Sequence, residues 1–100
     1  MLIAIMAQDA ENSLEARLSV REAHLARLTE LQNQGRLVLA GPHPINEAGD
    51  TSEGFSGSLI VAEFDSLDDA QEWAQNDPYI DAGVYTEVLI KPFLQVFPKA

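Results

Sequence analysis

Three observations predict an α+β fold of βαββαβ order, with a four-stranded antiparallel sheet and two helices on one face. Four short runs, 1–7, 36–40, 57–64 and 84–97, are rich in β-branched and large apolar residues. Two longer runs, from about residue 14 to Gln34 and from Ser66 to Asn76, carry helix-capping signals. Gly35, Gly41-Pro42, Asp77-Pro78 and Gly83 fall at the breaks. This is the ferredoxin-like arrangement.

Met1–Ala7 is apolar on both alternating faces and too short for a signal core or a membrane span. A polar loop, Asp9 to Ser13, leads into the first helix. Asn12 with Glu15, and Ser19 with Glu22, both have capping-box spacing, so a preliminary turn can precede the main helix. Gly35 sits where a helix end favours glycine. Arg36 to Ala40 reads as the second strand, ending in a turn at Gly41-Pro42-His43-Pro44. The polar stretch from Ile45 to Ser56 reads as a long loop able to cover a pocket. Gly57–Phe64 is the third strand. Ser66 caps the second helix, and Asp68 and Asp69 suit its positive N-terminal end without invoking catalysis. In Asn76-Asp77-Pro78-Tyr79, proline ends one helical piece and starts another, with Asp77 placed to cap it. Val84 to Phe97 is the last strand, where Pro92 calls for a bulge or an edge position.

The 100 residues suit one domain, 1–100, and 46% hydrophobic content argues against disorder. Absence of cysteine excludes disulfides, thiolate chemistry and cysteine zinc sites. A net charge of −10 opposes partnership with nucleic acid or acidic membranes. These features together suit a soluble, cytoplasmic protein. Two helices cover only one sheet face, yet the first and third strands are apolar on both. A homodimer packing sheet to sheet is the expected remedy.

On a helical wheel, Leu25, Leu28 and Leu31 mark the inward face of the first helix. Toward the N-terminus that stripe becomes His24, Arg21 and Arg17. Inward polar groups need partners, because an unsatisfied buried donor costs about 1–3 kcal/mol. In this topology the early turns of the first helix approach the end of the second, where Asp77 stands. A carboxylate bonded to one imidazole nitrogen fixes the tautomer and makes the other nitrogen a better base. A purely structural His–Asp tie has the same geometry. Metal ligation by His24 and His43 lacks a supporting spacing, and Ser58 after Gly57 lacks a nucleophile-elbow context. Tyr79 reads first as a half-buried anchor.

Arg21-x-x-His24-Leu25, Gly35-x-Leu37, Ala40-Gly41-Pro42, Gly57-Ser58, Asp77-Pro78-Tyr79 and Ile90-x-Pro92-Phe93 follow one another in order over nearly the whole chain. Together they resemble the YciI-like (YCII-related) family. The resemblance implies a dimeric α+β barrel of two ferredoxin-like subunits, in a wider fold that includes muconolactone isomerases and small cofactor-free monooxygenases. It implies a catalytic pair, His24 and Asp77, with Arg21, Gly41, Pro42, Ser58 and Tyr79 lining the pocket. Some members are linked to elimination or dehydrochlorination on hydroxylated rings, although shared fold alone does not carry chemistry. The expectation is a cofactor-independent lyase or isomerase, without a metal, acting on a small anionic or phenolic metabolite. The alternative is a non-catalytic dimeric module for small-molecule binding or protein interaction.

Overall fold

In the computed structural model, which describes residues 1–99, the first strand is β1 (Leu2–Asp9), followed by α1 (Leu14–Ser19) and α2 (Arg21–Asn33). After β2 (Leu37–Pro44) and β3 (Phe55–Glu63) come α3 (Leu67–Gln75), α4 (Pro78–Asp81) and β4 (Tyr85–Phe93). The strands pair antiparallel in the order β2-β3-β1-β4. The expected ferredoxin-like α+β fold is therefore present.

Strand order explains where the prolines sit. β2 and β4 are edge strands, where a missing N–H leaves no central ladder broken. Thus β2 continues through Gly41-Pro42-His43-Pro44, correcting the expected turn at that stretch. Pro92 pairs regularly with Ile3, so it uses the edge option, and the irregularity in that ladder lies at Gln8/Asp9. The last strand stops at Phe93, short of the expected Phe97.

Alternation along β1 sends Ile3 and Ile5 to the helix side, where they join Ile60, Ala62, Phe64, Leu31, Ala70 and Ala74 in the core. The other face is also apolar: Ala4 faces Val61, and Met6 lies between Leu59 and Leu89. Leu39, Leu89 and Phe93 remain exposed.

The first helix differs from expectation. It is split at Val20, and neither anticipated capping box forms. Ser13 makes no side-chain cap, and Ser19 Oγ instead donates back to the Ala16 carbonyl at 2.7 Å. Asn12 turns the chain ahead of α1 with φ 57°, a left-handed conformation asparagine tolerates. Ser66 does cap α3, accepting from the Asp69 N–H at 3.1 Å. The 45–54 stretch is a knit turn, with Asp50 accepting from Ser52 N–H and Ile45 N–H bonding the Gly54 carbonyl. Among the described residues, no helix is long and apolar enough to cross a membrane.

Candidate active site

The Asp-Pro step fixes the carboxylate. α3 ends at Gln75, Pro78 opens α4, and Asp77 Oδ1 accepts the Tyr79 N–H at 2.9 Å. Asp77 is only 2% exposed. Opposite it, the first turn of α2 presents His24, whose Nδ1 lies 3.0 and 2.9 Å from Asp77 Oδ1 and Oδ2. A carboxylate can only accept, so Nδ1 carries the proton and Nε2 is the bare nitrogen of the neutral ring. Nε2 has no hydrogen-bond partner among the described residues.

Behind the pair stands Arg27. Its Nη1 is 3.9 Å from Asp77 Oδ2, its Nη2 donates to the Trp73 carbonyl at 2.6 Å, and the guanidinium lies over the indole. Burial lowers the Arg27 pKa, with Asp77 opposing the shift. Two phenols enclose the imidazole. Tyr79 stacks on His24 at 4.0 Å with rings 14° from parallel, and Tyr85 meets both rings edge-on. Burial pushes the Tyr79 phenol above its ordinary range, although the nearby Arg17 guanidinium opposes this. Burial raises the Tyr85 phenol further, and its hydroxyl lacks a well-formed hydrogen bond.

Arg17, from α1, is 5% exposed and fully engaged on one side. Nε donates to Asp9 Oδ2 at 2.9 Å, while Nη2 reaches Asp9 Oδ1, the Gly57 carbonyl and Ser58 Oγ at 3.2, 3.2 and 2.7 Å. The guanidinium is sandwiched between the Phe55 and Tyr79 rings. Burial alone would lower its pKa, but Asp9 outweighs it and raises the value. Gly57 lets β3 run close against β1, because an added Cβ would clash with the Ala7 carbonyl oxygen.

A cavity of about 120 Å³ is lined by Arg17, Arg21, His24 and Tyr79 from the helices and by Gly41, Pro42 and Ser58 from β2 and β3. Asp77 lies behind His24 and does not line it. Arg21 is exposed and makes no ion pair among the described residues, unlike the inward position expected of it. As the first residue of α2, it stands at the cavity mouth. Tyr79 is more buried than expected, at 1% exposure. His43 is exposed on β2 and does not line the cavity. The 45–56 loop contributes to a different cavity of about 340 Å³, beside the β1–α1 connection, so it does not cover His24. The larger spaces among the described residues have no histidine in their linings.

Asp9, Arg17, Arg27 and Tyr85 were not singled out as site residues by the sequence. Arg17 carried a usable signal, since an arginine on an inward stripe requires a partner and Asp9 lies at the end of the adjoining strand. Tyr85 offered none, being one more residue of an alternating strand.

Fold and site define a small α+β protein in which a buried His–Asp pair meets an aromatic, arginine-bearing cavity. The YCII-related domain matches residues 1–94, and the chain belongs to that family. It is 56% identical over 98 residues to Protein YciI of Escherichia coli, covering 97% of this chain and 100% of the relative. An uncharacterized protein of Haemophilus influenzae is 51% identical with the same coverage. Among solved structures, 5-chloro-2-hydroxyhydroquinone dehydrochlorinase (TftG) of Burkholderia phenoliruptrix, in complex with 2,5-dihydroxybenzoquinone, superposes with a TM-score of 0.84. It is 28% identical, over 94% of each chain. A Pseudomonas aeruginosa protein shares the fold alone, with a TM-score of 0.52 at 7% identity over 95% of this chain and 92% of that one.

Proposed function

We propose that this protein is a cofactor-independent enzyme of lyase or isomerase type that moves a proton on a small anionic or phenolic ring. One observation carries the reading: His24 Nδ1 lies 2.9–3.0 Å from both Asp77 carboxylate oxygens, and the tautomer this favours leaves Nε2 bare on a residue that lines the cavity. His24 Nε2 removes a substrate proton. The released electron pair then either expels a leaving group as an anion, or shifts along the ring while the imidazolium returns the proton to another carbon. Asp77 stabilises the imidazolium that forms, and Arg21 at the mouth attracts the substrate's negative charge. Pro42 supplies apolar surface on the β2 side, Tyr79 backs the His24 ring, and Ser58 holds Arg17 in place. The likeness to a dehydrochlorinase, at 28% identity, supports elimination on a hydroxylated ring as the reaction to try first.

The working unit is a homodimer joined through the open sheet face. Leu39, Leu89 and Phe93 are each more than two-fifths exposed there, and burying them against a second copy removes that apolar area from water.

The test starts with a thermal-shift screen of ring-sized acids and phenols, since a ligand of the folded state raises the midpoint by mass action. Turnover of hits is then compared between wild type and His24→Gln. The reading expects activity to fall by about 10²–10⁴-fold in the variant. Retention of full activity would remove His24 from the chemistry.

A further inference from the structure

Arg17 was drawn into the core by its ion pair, yet one end of it is unused. Nε and Nη2 satisfy Asp9, Ser58 and the Gly57 carbonyl, whereas Nη1 has no hydrogen-bond partner among the described residues. The buried side-chain atoms left without partners are Arg27 Nη1 and the Tyr85 hydroxyl, so Arg17 Nη1 is not sealed away from solvent. Arg17 also lines the His24 cavity. An almost wholly buried guanidinium thus offers its remaining N–H groups at the inner wall of that space.

Local charge points the same way. Two arginines, Arg17 and Arg21, and no carboxylate line the cavity, and of the two only Arg17 is ion-paired among the described residues, in a chain whose net charge is −10. Excess positive charge placed in so acidic a chain favours a negatively charged occupant. Arg17 is also preorganised. Its carboxylate fork, its two aromatic neighbours and the Ser58 hydroxyl hold the plane before any ligand arrives, so little rotamer entropy is left to lose.

We propose that Arg17 Nη1 is an inner oxyanion subsite that anchors an ionised ring oxygen beside His24 Nε2. The ligand class is a planar six-membered ring bearing an acidic hydroxyl or enol, a size compatible with a cavity of about 120 Å³. Such a ring sits in the space between His24 and Pro42 with its ionised oxygen on Arg17. Arg21, at the mouth, attracts the anion but does not fix its register. This assignment rests on the proton-transfer reading for its purpose, and on geometry alone for its location.

Calorimetric titration with two probes tests it: 2,5-dihydroxybenzoquinone, whose hydroxyls are acidic, and 1,4-hydroquinone, which is neutral at pH 7. A charge-assisted hydrogen bond in a buried setting should favour the acidic probe by about tenfold or more. Asp9→Asn combined with Arg17→Gln removes both charges and should abolish that preference, whereas Arg21→Gln should keep most of it. Should the double variant not fold, Arg17→Lys keeps a cation beside Asp9 but lacks the second terminal nitrogen, and it should lose the preference too. The assignment is overturned if wild type shows no preference, if Arg21→Gln alone removes it, or if a folded Arg17 variant keeps it. Failure of the catalytic reading looks different. In that case His24→Gln would turn over substrate like wild type while the Arg17-dependent preference stood.

Discussion

Replacing Asp77 by asparagine keeps the shape of the side chain and removes its charge. The amide oxygen can still accept the Tyr79 N–H, so the cap on α4 survives. The other arm now presents an NH₂ group to His24 Nδ1 across a 2.9 Å contact built for a donor facing an acceptor. Either that hydrogen bond weakens, or the ring moves its proton to Nε2 and ceases to be a base toward the cavity. Exchanging a buried charged hydrogen bond for a neutral or mismatched one costs about 1–3 kcal/mol. For a chain of 100 residues this corresponds to a fall in thermal midpoint of roughly 5–20 °C. Asp77→Ala loses the cap as well, a further loss of about 1 kcal/mol. Circular dichroism melts and urea titrations of the three proteins measure the series. An asparagine variant as stable as wild type, or an alanine variant no worse than asparagine, would refute this account of the junction.

Other expectations follow from single contacts. Gly57→Ala places a methyl against the Ala7 backbone oxygen, which cannot retreat without parting β1 from β3; a loss of about 3 kcal/mol or more is expected in denaturant titrations. Gly41→Ala meets nothing within 4 Å and should be within about 1 kcal/mol of wild type. Tyr79 and Tyr85 titrate above the ordinary phenol value of 10.0 in the folded state. Their contribution is complete below pH 10, and it is lost as pH rises because the unfolded chain releases phenolic protons that the folded chain keeps. The thermal midpoint should therefore fall above pH 10, and Tyr85→Phe should flatten that fall while leaving neutral-pH stability unchanged or slightly higher. Leu89→Lys on the open sheet face should shift sedimentation toward the monomer without unfolding the chain, whereas an unchanged dimer or a monomeric wild type would contradict the proposed assembly.

Much of the fold was legible because alternation and capping act locally. Ser66, Asp77 and Gly83 take the roles their chemistry favours, and the apolar second face of the sheet could be read from Met1 to Ala7 and from Leu59 to Phe64. The split at Val20 was not legible, because Ser19 uses its hydroxyl on Ala16 instead of capping the next helix. The path of β2 through two prolines required knowing that it is an edge strand, which only the assembled sheet decides. In the site, His24 and Asp77 follow from topology, whereas the stripe that turns Arg17 inward does not name Asp9 and Ser58 as its partners, because that engagement joins three elements.

Everything proposed for the site depends on Asp77 fixing the His24 tautomer so that a bare Nε2 meets the ligand. Nitrogen NMR of ¹⁵N-histidine-labelled protein, at a pH where the ring is neutral, reads this directly. A proton on His24 Nδ1, an unprotonated Nε2, and an Nε2 resonance that moves when 2,5-dihydroxybenzoquinone is added are expected. A proton on Nε2, or an Nε2 signal unmoved by the bound probe, would contradict this arrangement.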